Sequence, residues 1–143
     1  MASVLTLGAS GAVVGTRFLF SPECIFSEKQ KQLILDAKHG ATIRSYAFDI
    51  AGGTTGWPDG IDGRALRNGI VDNYNQGLTG DEVRRRFLEA AKQGSPDGII
   101  TWAGVGVALV HELKKTEVRI FVYCILVIVQ MLSNIVGNCE GIA

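Results

Sequence analysis

The sequence predicts an α/β chain in which a little strand is followed by mostly helix, and three observations predict it. Ala12-Val13-Val14 is a short uncharged run bounded by small residues, which suits a strand buried on both faces of a parallel sheet. Ser27 and Thr79 each stand in front of an apolar pattern of helical spacing, as helix caps do. Hydrophobic residues are 47% of the 143 and charged ones 20%, a globular balance with a formal net charge of zero. That balance provides no basic surface, so no nucleic-acid partner is expected.

Taken in order, the strand at Ala12–Val14 ends at Gly15, where the backbone can approach a ligand without a Cβ in the way. Thr16 adds a hydroxyl where free amides can point at an anion, and Arg17 is a candidate charge partner. Two readings stand for this turn: a phosphate site, or a plain strand-to-loop turn in which Gly15 relieves strain. Ser27, Glu28 and the pattern Leu33, Ile34, Ala37 predict a helix ending near Gly40. Residues 42–50 alternate in character and predict a short extended segment or a loop, and Pro58-Asp59-Gly60 predicts a turn. A helix is predicted from about Gly63 to Asn75. Thr79 with Glu82 forms a capping box that opens another, running through Val83, Phe87, Leu88 and Ala91 to Gly94.

From Gly98 to Leu113 the chain carries Ile99, Ile100 and Trp102, then Ala103-Gly104-Val105-Gly106 and a helix-like apolar run to His111 and Glu112. This is either a closing loop that folds back over a cofactor, or a core aromatic beside glycines that permit tight packing. His111 shares its stretch with Glu112 and Lys114, which predicts a surface or capping histidine rather than a base. The glycines cluster at 52–63 and 98–106, a pattern of loops at the mouth of a site rather than of a linker.

Cys24, Cys124 and Cys139 form no CxxC pair and stand far from His39 and His111, so no metal site is expected. Cys24 is predicted to be a half-buried thiol without chemistry. An odd cysteine count with no basic or apolar leader after Met1 predicts reduced thiols in a cytoplasmic protein without a signal peptide.

Three stretches, LTLGASGAVVGTRFLFSPE (5–23), YAFDIAGGTTGWPDGIDGRALRN (46–68) and PDGIITWAGVGVALVHELK (96–114), resemble in order and spacing the C-terminal portion of the nitronate monooxygenase family, also called 2-nitropropane dioxygenases. The resemblance covers about Leu5 to Lys115. It implies an FMN-dependent TIM barrel that oxidises alkyl nitronates with dioxygen to a carbonyl compound and nitrite. A TIM barrel takes about 250 residues, so the expectation is a C-terminal barrel fragment over 1–115 followed by a divergent hydrophobic tail over 116–143. MASVLTLGAS then matches the end of a helix before the last strand, and the chain is expected to begin in mid-domain and to be inactive in isolation. The resemblance assigns the FMN phosphate to the backbone amides of Val13, Val14, Gly15 and Thr16. It assigns no catalytic residue, because the family's catalytic histidine lies upstream and neither His39 nor His111 sits in its motif.

The tail departs from the family, which carries a charge-rich terminal helix. Ile120 to Val136 reads IFVYCILVIVQMLSNIV, shorter than the about 20 apolar residues of a membrane span. Three explanations compete: a frameshift or retained intron, which is preferred, a tail anchor, and a buried terminal helix. The alternatives for the whole chain are a small membrane-anchored or interaction protein, and a fragment of an inosine monophosphate dehydrogenase-like barrel. The stretch TTGWPDGIDGRALRN favours the nitronate group over the latter.

Overall fold

The computed structural model describes residues 2–9 and 11–117. The chain divides into two compact units, Met1–Cys24 with Leu113–Ala143, and Ile25–Glu112. The tail at Ile120–Val136, with Cys124, and Cys139 lie outside the described residues. Among the described residues no helix is long and apolar enough to cross a membrane.

The first unit holds α1 (Ala2–Thr6), the helix end expected there, and α2 (Thr16–Leu19). The strand predicted at Ala12–Val14 is absent. Residues 11–15 are coil, and the Val13 side chain is fully exposed. A valine run favours strand only by fitting a pleated, half-buried surface beside a neighbour, and among the described residues no strand pairs with it. The returning chain is fastened to the segment after α2: the Lys114 amide donates to the Phe20 carbonyl at 3.1 Å. The Thr116 amide and hydroxyl donate to the Glu23 carboxylate at 3.3–3.4 Å. The Glu23 carboxyl is held below the ordinary carboxylate range, first by its own backbone amide, against desolvation as the next effect, and then by the hydrogen bonds from Thr116.

The second unit opens with α3 (Glu28–Leu35). Ser27 caps it as predicted: its hydroxyl accepts from the Gln30 amide, and the Gln30 side chain reaches back to the Ser27 amide at 3.0 Å. The helix stops at Leu35, short of Gly40. The predicted extended segment at 42–50 is strand only over β1 (Thr42–Arg44), and then turns into α4 (Ala47–Gly52). Ala47, Phe48 and Ala51 all face inward from α4, and that burial decides for helix over extended chain. The turn at Pro58–Gly60 is present, closed by the Ile61 amide on the Pro58 carbonyl at 3.0 Å.

The helix predicted from Gly63 is replaced over its first part by β2 (Arg64–Leu66), antiparallel to β1 in the register Thr42↔Leu66, Ile43↔Ala65, Arg44↔Arg64. Trp102 adds a bridge to Ala65 on the other side of β2. The Leu66 amide donates to the Thr101 carbonyl at 2.9 Å and the Ala103 amide to the Arg64 carbonyl at 3.2 Å. Helix begins only at α5 (Gly69–Asn75), where the Asn68 side chain accepts from the Ile70 amide. The helix-like run after Trp102 is a 3-10 segment, Val105–Leu109. Ala47, Phe48, Ala51, Ala65, Ile70, Val71 and Val83 form the core, with Ile43, Ile50, Leu78, Phe87 and Ile100 packed around it.

Helix α6 (Gly80–Lys92) starts at Thr79, as predicted, with the Thr79 hydroxyl accepting from the Glu82 amide. The reciprocal half of the capping box does not form, because the Glu82 carboxylate is taken by arginines. It accepts from Arg85 at 2.6 and 3.0 Å and from Arg86 at 3.1 Å, while Arg85 also donates to Glu89 at 2.6 Å. The hydrogen bond from Arg85, then that from Arg86, pull the Glu82 carboxyl down to about 2. A depressed folded pKa makes its contribution present above the ordinary value of 4.5 and lost as pH falls toward about 2. Wild-type protein is therefore expected to lose more melting temperature between pH 5 and pH 2 than Glu82→Gln, and the difference should shrink in about 1 M salt. Equal losses in circular-dichroism melts of the two proteins would count against the pairing.

Candidate functional site

The four residues assigned to an FMN phosphate sit at the entry to α2. Gly15 is its N-cap, at φ −101° and ψ −72°, and Thr16 is its first residue. Val13 projects into solvent and Val14 is half-buried. Among the described residues, a Cβ built on Gly15 would meet nothing within 4 Å. The Phe18 amide is already used, donating to the Gly15 carbonyl at 2.9 Å. A four-residue helix is one turn and gathers little dipole. Val13 and Gly15 are thus exposed, whereas Val14 and Thr16 are half-buried and Thr16 is already engaged.

The other two motifs fall in the second unit. In the stretch 46–68, α4 presents Asp49, which is 5% exposed. Its Oδ1 accepts from the Thr54 hydroxyl at 3.1 Å and its carbonyl accepts from the Thr54 amide at 2.9 Å, so this residue fastens the start of the loop that follows. Arg84 crosses from α6 and donates to the Ala51 carbonyl at 3.0 Å. Beyond it, residues 52–61 are exposed throughout, Trp57 among them. The glycine loop thus has a rigid root and an open tip.

In the stretch 96–114, Trp102 stands edge-on to Phe48, with ring centroids 5.8 Å apart at 70°. The ring also lies over Gly63, where an added Cβ would overlap it. Trp102 is thus packed on one side only, 39% exposed rather than a core aromatic, and Gly106 makes no close contact. His39 and His111 are exposed. Cys24 is a half-buried thiol, as expected. Among the described residues no group of histidine, cysteine and carboxylate side chains is arranged to hold a metal.

Two polar atoms escaped the sequence reading. The Asp49 Oδ2 and the Thr101 hydroxyl are buried with no hydrogen-bond partner among the described residues. Nothing local marks either one: Asp49 lies in an apolar helix and Thr101 between Ile100 and Trp102. Their state follows from tertiary packing alone.

The profile of the nitronate monooxygenase family matches residues 1–118. The chain is 35% identical over 112 residues to a nitronate monooxygenase of Neurospora crassa, an alignment that spans 77% of this chain and 30% of the relative. It is 34% identical over 124 residues to the nitronate monooxygenase npaC of Metarhizium robertsii, spanning 82% of this chain and 35% of the relative. The chain thus spans about a third of the length of these curated relatives.

Proposed function

The chain belongs to the nitronate monooxygenase family, and from that premise we propose that it is part of an FMN-dependent oxidoreductase that converts alkyl nitronates and dioxygen to a carbonyl compound and nitrite. In this reading residues 1–115 are the C-terminal part of a TIM-barrel domain, and the 143-residue chain does not turn over by itself. The observation that carries the reading is the family match across 1–118, which contains all three motifs in order, set against relatives about two and a half times as long.

Bound FMN supplies the redox chemistry. The chain's own part is to bind and orient. Backbone amides around Val13, Val14, Gly15 and Thr16 are assigned to the phosphate, which needs no polar side chain there. The exposure of Val13 and Gly15 agrees with a surface that other residues complete. No base is assigned, since neither His39 nor His111 sits in the motif of the family's catalytic histidine.

Purified 143-residue chain is expected to hold no stoichiometric yellow flavin after incubation with FMN, and to show no nitronate-dependent oxygen uptake. Stoichiometric flavin with turnover would overturn the claim of inactivity. The phosphate assignment has its own test, a chimera in which the Neurospora crassa relative supplies everything outside the matched region. There Gly15→Asp places a carboxylate beside the phosphate and should weaken FMN about tenfold or more, read by flavin fluorescence. Unchanged affinity would remove residues 13–16 from the site.

A further inference from the structure

We propose that the outer side of the 3-10 segment Val105–Leu109 is an interaction face, and that what packs on it is the part of a nitronate monooxygenase fold that this chain does not span. The proposal rests on the family reading above, and its test separates the two.

From Ile99 to Val110 the chain has no ionisable side chain, and Thr101 is its only polar one. Its apolar residues nevertheless point two ways. Ala103, Val107 and Val110 are buried, whereas Val105 is 61% exposed and Leu109 79%. The outer row is continuous: the Leu109 Cδ1 lies 3.8 Å from where a Cβ on Gly106 would stand, and Gly106 follows Val105 in the chain. A single exposed leucine is ordinary. A segment that is apolar on both sides is not, since such segments belong between two packed layers. The same unit shows how it meets water elsewhere: α6 buries Val83 and leaves Arg85, Arg86 and Glu89 exposed.

Length and area select the occupant. Residues 99–110 lie inside the family match at 1–118, so the segment belongs to the part shared with the relatives. The alignments span only 30% and 35% of those relatives, which leaves most of their chain to cover it. A second copy of this chain is disfavoured by area. Two exposed side chains and a glycine leave on the order of a few hundred Å² of apolar surface, below the about 800 Å² per partner of a stable complex. Packing inside one fold has no such threshold, because it does not lose the freedom of a separate molecule.

Hydroxyl-radical footprinting, read by mass spectrometry, tests this on the 143-residue chain and on the chimera completed by the Neurospora crassa relative. Val105 and Leu109 are expected to label freely in the 143-residue chain and about fivefold less or lower in the chimera, where a close-packed interior replaces water. Val105→Lys/Leu109→Lys should leave the melting temperature of the 143-residue chain within about 1 °C, and lower that of the chimera by about 5 °C or more. Equal losses in both proteins would assign the two residues to the unit's own core and overturn the proposal. Protection already present in the 143-residue chain would also overturn it, by assigning the face to the same chain if constant, or to a second copy if it grows with concentration. Free labelling in a chimera that binds FMN would sink the proposal and spare the family reading, whereas protection in a chimera without FMN would do the reverse. For a chimera that does not fold, the footprint of the intact Neurospora crassa relative at the aligned positions decides: protection supports the proposal and free labelling overturns it.

Discussion

Replacing Gly98 with alanine is expected to cost the second unit about 3 kcal/mol or more, the largest loss from any single methyl group in it. Gly98 is buried at the end of the 3-10 turn Pro96–Gly98, and a Cβ there would overlap backbone atoms of Ala90 and Ala91 in α6. A side chain in the way can change rotamer, whereas a helix backbone in the way has to move as a body. The turn has no freedom to withdraw either. The Ser95 amide donates to the Ala90 carbonyl at 2.9 Å, and Asp97 accepts from the Gly69 amide at 2.8 Å, which ties the turn to α6 and α5 together. Overpacking a core by a methylene typically costs about 1–3 kcal/mol, and a backbone obstacle puts this position at the upper end or beyond. Against a whole-domain stability of about 5–15 kcal/mol, that shift is readily measured by urea unfolding. Gln93→Ala, on the exposed end of α6, should change stability by less than about 0.5 kcal/mol in the same assay. A Gly98→Ala protein as stable as wild type would mean that the turn and helix do not approach as closely as described.

What was legible in the sequence follows how far apart the interacting residues lie. The caps at Ser27 and Thr79 and the turn at Pro58 were readable because each needs only a hydroxyl or a ring and an amide two or three residues on. Strand β2 was not, since Arg64–Leu66 is extended by virtue of Thr42–Arg44 on one edge and Trp102 on the other, neither of them local. The converse error occurred at Ala12–Val14, where the residue type suited a strand and no partner strand stands beside it among the described residues. The same divide governs the sites. Val13 to Thr16 were put forward from residue type and family resemblance. The buried Asp49 Oδ2 and Thr101 hydroxyl were invisible, because lacking a partner is a property of the packed interior rather than of the residue.

That distance dependence also explains the second large effect, which falls where two of the three family motifs touch. Gly63 comes from the stretch 46–68 and Trp102 from the stretch 96–114, and the indole lies directly over the glycine. Its atoms Cζ3 and Cη2 occupy the space a Cβ would need, while its edge contact with Phe48 fixes it from the core side. In Gly63→Ala the ring has to swing outward. It then forfeits the contact with Phe48, worth about 0.5–1.5 kcal/mol, along with the apolar area it now covers. A total loss of about 2 kcal/mol is expected, together with a red shift of tryptophan emission, because a ring already 39% exposed becomes more so. A steric origin makes a stricter prediction. Trp102→Leu removes the obstacle, so the double variant Gly63→Ala/Trp102→Leu should be more stable than the sum of the two single losses allows, by about 1 kcal/mol. Strict additivity would instead place the cost of Gly63→Ala in the backbone at 63, with the indole contributing nothing to it.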